Sequence, residues 1–217
     1  MNDTDLPRLR QAVVAATELE PVAGQLTEAL GLAEPYNDPG VSYFGLRNAV
    51  FAIGDQFLEV VSPAQDDTAA GRLIARRGGD CGYMLMFQVP DLKAARERAA
   101  ARNMRVVFEV ELDDISEVHL HPADMDGAIV ALSAPRPPET WRWGGDGWSR
   151  RSAPGEIKTV TVAVNDPEAT EARWRDVIGG TAGVRFVQGT LGPVELKVAG
   201  SELSEPATIA GVRFSPA

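Results

Sequence analysis

Residues 84–104, MLMFQVPDLKAARERAAARNM, contain an apolar run, a Pro-Asp turn and a helical pattern, in an order that occurs twice more. The other copies are QAVVAATELEPVAGQLTEALGL at residues 11–32 and TVTVAVNDPEATEARWRDVIGG at residues 159–180. Measured between their turns, the copies recur about every 73 to 75 residues. A period of this length predicts a repeated supersecondary module rather than a solenoid.

Each copy is followed by short apolar segments that predict strands, and the first two copies end alike, in FLEVVSP and AIVALSAP. The elements predicted for the first module are residues 11–16, 22–32, 41–46, 49–53 and 56–61. Those of the second are residues 83–89, 92–102, 105–110, 118–121 and 128–132. Those of a weaker third are residues 159–164, 167–178, 184–187, 194–198 and 209–214. The order strand, helix, strand, strand, strand predicts an α+β fold of βαβββ modules.

These modules also define the expected domain organisation. Residues 1–65 and 80–135 form two full modules, which we expect to pair within residues 1–135 into one curved mixed sheet. A polar segment with a short helix joins them. Residues 156–217 form the third, shorter module.

Composition and charge restrict the partners. The 217-residue chain has a formal net charge of −10, and such a field repels phosphate backbones and anionic lipid. We therefore expect neither nucleic acid nor a membrane surface as a partner. Cys81 is the one cysteine, which excludes an intrachain disulfide, and the first residues lack an apolar signal core. Together these features predict a soluble, cytoplasmic protein.

Residues 136–155, RPPETWRWGGDGWSRRSAPG, contain three of the four tryptophans, Trp141, Trp143 and Trp148. Adjacent prolines and several glycines argue against a regular element, so we interpret this segment as a linker between the second and third modules. The favoured hypothesis is an ordered loop whose indoles cover an apolar surface. The alternative is a lid over a ligand pocket.

The repeated order, with its similar openings and its FLEVVSP and AIVALSAP endings, resembles the vicinal oxygen chelate superfamily. That group includes glyoxalase I, extradiol dioxygenases and bleomycin-resistance proteins. Residues 117–135, EVHLHPADMDGAIVALSAP, are also similar to a segment of the methylmalonyl-CoA epimerases, which belong to the same group. The resemblance implies that two modules form a curved sheet, with a divalent metal ion and a substrate in its concavity.

Carried onto this sequence, the superfamily's metal-ligand positions fall on Gln11 and Glu59 in the first module and on Met84 and Ala131 in the second. Gln11 and Glu59 are oxygen donors, whereas a thioether is a poor ligand for hard divalent ions and a methyl group is none. The resemblance thus implies an incomplete ligand set, and we predict no tightly bound divalent ion there. By strand period, Glu59 shares its face with Phe57, and we expect that face to point into the concavity.

His119 and His121 are the two histidines of the chain, and they are the other candidates for chemistry. As residues i and i+2 of a strand they would share one face, together with Glu117. They could bind a metal ion, do acid-base work near Glu59, or belong to an ordinary hydrogen-bonded hairpin. These alternatives stay open at the level of sequence.

Two functions compete. In the first, the chain is an enzyme of the glyoxalase-like type, an epimerase, isomerase, lyase or dioxygenase, with catalytic residues Glu59, His119 and His121. In the second, it is a metal-free small-molecule-binding or resistance protein of the same fold. In both, the residues expected to contact the small molecule are Gln11, Phe57, Met84, Met86, Trp141 and Trp143.

The third module has no partner module in the chain, so its apolar sheet face needs a cover. Either the tryptophan-bearing segment folds over this face or the same module of a second chain does. An isologous contact would cover both copies at once. We therefore expect a homodimer with residues 157–217 at its interface.

Overall fold

A computed structural model describes residues 6–181 and 183–217, which form two mixed β-sheets and four α-helices. The first module contains β1 (Arg8–Ala15), α1 (Leu19–Leu30), β2 (Leu46–Ile53) and β3 (Gln56–Pro63). A connecting helix, α2 (Ala69–Arg77), leads to β4 (Cys81–Gln88), α3 (Leu92–Ala101), β5 (Val106–Glu111), β6 (Ile115–Leu120) and β7 (Ile129–Pro135). The C-terminal unit contains β8 (Glu156–Val164), α4 (Pro167–Ile178), β9 (Val184–Gln188), β10 (Gly192–Ala199), β11 (Ala207–Ile209) and β12 (Val212–Pro216).

The first two modules form one sheet of seven strands in the order β2-β3-β1-β4-β7-β6-β5. Within each module the first and last strands pair in parallel, and the two modules join through the antiparallel pair of β1 and β4. The predicted α+β fold with two modules joined in one mixed sheet is confirmed, although the first module contains three strands where the second contains four. None of the helices in the described part of the chain has both the length and the apolar character needed to cross a membrane.

The strand predicted at residues 41–46 is wrong. The segment Pro39–Phe44 is a 3₁₀ helix, and Gly45 ends it with a φ of +69°, in the left-handed region. Pro39 suits the first turn of a helix, and the Asp38 side chain accepts a hydrogen bond from the Gly40 amide at 2.9 Å. The apolar run at residues 41–46 therefore contains a turn, and β2 begins only at Leu46.

The alternation of side chains along the strands separates two apolar regions. Leu58 and Val60 of β3 belong to the large core on the outer, helix-bearing face of the sheet. Phe57 and Val61 belong to a second cluster on the concave face, which also includes Met84 and Met86. Glu59 lies between Phe57 and Val61 on the same strand, and its side chain lies on the concave face as well.

The C-terminal unit forms a separate five-stranded sheet in the order β11-β12-β10-β8-β9. Its connections differ from those of the first two modules, because the first strand, β8, pairs in parallel with β9, and β12 pairs in parallel with β10. The hairpin at β11 and β12 replaces the single strand predicted at residues 209–214.

The apolar face of this C-terminal sheet is covered by the first two modules of the same chain. Val160, Val162 and Trp174 are fully buried, in one continuous core with the outer face of the seven-stranded sheet. The Trp174 ring meets Phe87 edge-on at 6.1 Å, and its indole N–H donates to the Met125 carbonyl at 3.2 Å. The predicted covers of this face, the tryptophan-bearing segment and a second chain, are therefore wrong.

Candidate functional site

The concave face of the seven-stranded sheet encloses a cavity of about 1260 Å³, which we call the cup. The segment of residues 136–155, which we call the strap, crosses this face and forms one wall. Trp141, Trp143 and Trp148 of the strap line the cup. The sheet contributes, among others, Gln11, Glu59, Met84, Met86, Glu117 and His119. The strap thus covers an apolar surface, as the favoured hypothesis states, and its role as a lid over a ligand stays a prediction.

Glu59 is the centre of a buried hydrogen-bonded group. Its two carboxylate oxygens accept from the Gln11 Nε2 and the Asn48 Nδ2, each at 2.7 Å. The Gln11 Oε1 in turn accepts from the Trp141 Nε1 at 2.6 Å. Because an indole N–H only donates, Trp141 fixes the Gln11 amide with its NH₂ group toward Glu59. Asn48 and the Trp141 bond were not recognised in the sequence.

Burial raises the pKa of Glu59 from 4.5 to about 7. The hydrogen bonds from Asn48 and Gln11 oppose this rise, while the nearby charges of Asp38 and Glu117 add to it. Burial likewise raises the pKa of Tyr83, which lines the same cup, to about 12. Near neutral pH, the cup therefore holds a carboxyl group that can take up or release a proton.

The residues at the superfamily's metal-ligand positions do not fit a divalent ion. Met84 and Ala131 supply no hard donor atom. The oxygens of Gln11 and Glu59 are occupied by N–H donors from the protein itself. In the described part of the chain, no three His, Cys, Asp or Glu side chains are grouped closely enough to hold a metal ion.

A second polar group surrounds Glu117, a buried residue of β6. The Glu117 Oε1 lies 2.7 Å from the His119 Nε2. Its Oε2 accepts from the Ser133 Oγ at 2.5 Å and from the Trp143 Nε1 at 2.8 Å. The sequence analysis placed Glu117 and His119 on one strand face, but Glu117 is not among the predicted site residues. The structure makes it the partner of the candidate His119.

His121 is not part of the cup. Strand β6 ends at Leu120, so the alternation of side chains that placed His121 beside His119 no longer applies. The His121 Nδ1 accepts from the Ala123 amide at 3.0 Å, in the turn that follows the strand. The hairpin hypothesis therefore describes His121, whereas the cup contains His119.

Phe57 also has a different position from the expected one. It is fully buried and does not line the cup. Its ring lies under the strap, 6.1 Å from that of Trp141 in a stacked arrangement and 5.1 Å from that of Trp148. A Cβ atom on Gly144 would overlap the Phe57 ring, so the strap needs a glycine at this point of closest approach.

Arg10 anchors the strap from the sheet. It is fully buried, with its guanidinium carbon 5.4 Å from the Trp141 ring and 5.7 Å from the Trp148 ring. One guanidinium nitrogen donates to the Glu139 carbonyl at 3.1 Å, and another donates to the Gln88 Oε1 at 3.2 Å. The wall of the cup therefore depends on a buried cation beneath it.

We expect Arg10→Met to lower the free energy of unfolding by about 2 kcal/mol, because it removes charge-assisted hydrogen bonds and the cation beneath the indoles. The strap should also become more sensitive to limited proteolysis. Arg8→Met is the matched control, since Arg8 contacts the same Gln88 oxygen at 3.3 Å without being buried under the strap. Equal urea-unfolding curves and proteolysis rates for the two variants would contradict an anchoring role.

The comparison with known sequences identifies the family. A family model described as a glyoxalase-like domain matches residues 12–178, which is more than half of the chain. The chain belongs to the glyoxalase-like domain family. No curated protein matches the sequence.

Solved structures show how far this family fold extends. A Streptomyces coelicolor methylmalonyl-CoA epimerase variant in complex with 2-nitronate-propionyl-CoA is 20% identical, with a TM-score of 0.53 over 60% of this chain and 99% of its own. The Mycobacterium tuberculosis methylmalonyl-CoA epimerase is 20% identical, with a TM-score of 0.53 over 62% and 93%. A hypothetical protein from Staphylococcus aureus is 12% identical, with a TM-score of 0.67 over 96% and 99%. At these identities the likeness concerns the fold.

Proposed function

We propose that this glyoxalase-like protein binds a small organic molecule in the cup without the metal ion of the vicinal oxygen chelate superfamily. The observation that carries the proposal is the closed hydrogen-bonded group of Gln11, Glu59, Asn48 and Trp141. Its hydrogen bonds occupy the oxygen atoms that would coordinate a metal ion. A cavity of about 1260 Å³ nevertheless remains beside this group. That volume is ample for a small molecule, since typical ligand pockets have about 300 to 1,000 Å³.

The walls of the cup favour a neutral or cationic molecule with an apolar body. Glu59 and Glu117 are the buried acidic groups, and the tryptophans and methionines supply apolar area. The arginines that line the cup, Arg136 and Arg142, are paired with Glu111 and Asp114. A ligand cation would gain from the carboxylates and from the indole faces. An anionic CoA derivative, such as the one in the epimerase complex, would be repelled by these acidic walls.

Proton transfer to the bound molecule is the second candidate function. It is favoured by Glu59, because a carboxyl group with a pKa of about 7 can act as acid or base near neutral pH. An epimerase, isomerase or lyase reaction would need this type of group. The likeness to the methylmalonyl-CoA epimerases is consistent with such chemistry and adds only the shared fold.

Metal content and ligand binding test the proposal together. We expect purified protein, grown with added divalent metals, to contain far less than one metal ion per chain. Indole fluorescence should report saturable binding of apolar amines, because three of the four tryptophans line the cup. Glu59→Gln should weaken the binding of the amines about tenfold and leave that of isosteric alcohols nearly unchanged. Stoichiometric metal that disappears in Glu59→Gln would contradict metal-free binding.

The homodimer and the cytoplasmic location remain predictions. The original reason for a dimer, an uncovered C-terminal sheet face, does not apply, because that face is buried within the chain. Among the residues that the structure describes, the exposed large apolar side chains are Tyr43, Phe44, Val106 and Val107. Analytical ultracentrifugation of the wild type and of Tyr43→Ser with Val107→Ser would decide whether they hold two copies together.

A further inference from the structure

We propose that Glu117 and His119 form an acid-base pair in which the His119 Nδ1 removes a proton from the molecule bound in the cup. Glu117 acts through His119 as a positioning residue. The inference rests on the proposed binding of a small molecule in the cup, and it adds a reaction and a class of substrate.

The hydrogen bonds around Glu117 orient its carboxylate toward His119. Trp143 can only donate to the Glu117 carboxylate, and its indole N–H shares the Oε2 with the Ser133 hydroxyl. Both of these donors lie on the Oε2, which leaves the Oε1 of the ionised carboxylate as the acceptor that faces the His119 Nε2. With Glu117 ionised, the proton between the Glu117 Oε1 and the His119 Nε2 belongs to the Nε2, and in its neutral form the ring carries its lone pair on Nδ1.

The His119 Nδ1 is accessible. This nitrogen has no hydrogen-bond partner among the described residues. It is also not one of their fully buried atoms without a partner, so part of its surface is exposed. The His119 side chain lines the cup with 12% of its surface exposed. The centroid of its ring lies 4.8 Å from that of Phe108 and 6.3 Å from that of Phe44, and these two rings restrict the orientation of the imidazole.

The chemistry requires no further reactant. The Nδ1 takes a proton from a C–H, N–H or O–H bond of the bound molecule, and the electron pair of that bond stays on the molecule. The imidazolium that forms is stabilised by the Glu117 carboxylate, and it returns the proton to the product or exchanges it with water. The substrate class is thus a small apolar molecule whose proton is acidified by a neighbouring electron-withdrawing group.

The probe 5-nitrobenzisoxazole tests this step, because a base that removes its ring C–H proton opens the ring by breaking the N–O bond and yields a coloured phenolate. We expect His119→Gln to lower kcat about 100-fold with little change in KM. His121→Asn, outside the cup, should leave the rate unchanged. Equal rates for His119→Gln and the wild type would overturn the inference. Saturable indole quenching by the probe in that case would leave the binding function intact, and its absence would count against both.

Glu117→Gln separates positioning from simple packing. The indole N–H and the Ser133 hydroxyl would hold the new amide oxygen, so its NH₂ group would face the His119 Nε2 and force the proton onto Nδ1. We expect kcat to fall about tenfold or more. In a His121→Asn background His119 is the only histidine, and its ¹⁵N spectrum should change from the Nε2–H to the Nδ1–H tautomer. A wild-type protein already in the Nδ1–H tautomer would overturn the proposal, whether or not the probe binds.

Discussion

Trp174→Ala should lower the free energy of unfolding by about 3 to 5 kcal/mol, the usual cost of removing a fully buried aromatic side chain. Trp174 joins three parts of the molecule, since it belongs to α4, meets the Phe87 ring of β4 and donates to the Met125 carbonyl. The substitution would leave a cavity between the two sheets and an unpaired carbonyl. The effect should therefore reach the whole chain rather than the C-terminal unit alone.

Urea unfolding followed by both fluorescence and circular dichroism would measure this effect. The wild type should show one cooperative transition, because the two sheets share one core. Lys93→Ala is the control, since Lys93 is exposed on α3 and its loss should cost less than about 0.5 kcal/mol. Two separate transitions in the wild type, or a loss below about 1 kcal/mol in Trp174→Ala, would show that the C-terminal sheet does not depend on this core.

The repeated modules could be predicted because their signals are local. The short apolar runs of β1, β3 and β4 and the helical patterns that follow β1 and β4 can be recognised within about twenty residues. The 3₁₀ helix at Pro39–Phe44 escaped this reading, since its apolar residues resemble a strand and only Pro39 and Gly45 indicate the turn. Period is a weak guide in so short a segment.

The place of the C-terminal sheet could not be predicted in the same way. Val160 and Val162 alternate with Thr159 and Thr161, which shows that one face is buried. The pattern does not say what buries it. The partner residues, such as Phe87, lie in another module, and a long-range contact leaves no periodic trace in the sequence.

In the candidate site, too, the features with local sequence signals could be predicted and those that depend on long-range contacts could not. The resemblance identified Gln11 and Glu59, and the strand period put Glu59 on the concave side. The hydrogen bonds of Trp141 and Trp143 span long sequence separations, so the closed group around Glu59 and the bond from Trp143 to Glu117 could not be predicted. The strand period did place Glu117 and His119 on one face. His121 failed for a smaller reason, because β6 ends one residue before it.

The stability of the wild type should fall relative to that of Glu59→Gln as the pH rises from about 4.5 to about 7. Burial raises the pKa of Glu59 to about 7 in the folded chain, whereas the ordinary value is 4.5. Between these values the folded protein binds a proton that the unfolded chain has released. The contribution of Glu59 to the free energy of unfolding is fully present below pH 4.5, and it is lost as the pH rises through the folded pKa of about 7.

The expected size of this effect is about 3 kcal/mol between pH 4 and pH 8, from the difference between the two pKa values. The amide side chain of Glu59→Gln cannot ionise. Its own cost, an NH₂ group that faces the donor of either Gln11 or Asn48, is therefore independent of pH. The difference between the two stability curves isolates the carboxyl group from every other titrating residue. Urea unfolding at five pH values would supply both curves.

The same curves distinguish a metal site from a metal-free cup. A bound divalent ion would favour the ionised form of Glu59 and draw its folded pKa downward, so stability would rise with pH instead of falling. For a metal-free cup, we expect the free energy of unfolding to fall with pH in the same way in the presence of Mn²⁺ and in the presence of a chelator. A curve that rises with pH only when Mn²⁺ is present would mean that the Gln11 and Trp141 bonds open to admit the ion. The acid-base and binding roles proposed for the cup would then have to be assigned to a metal centre.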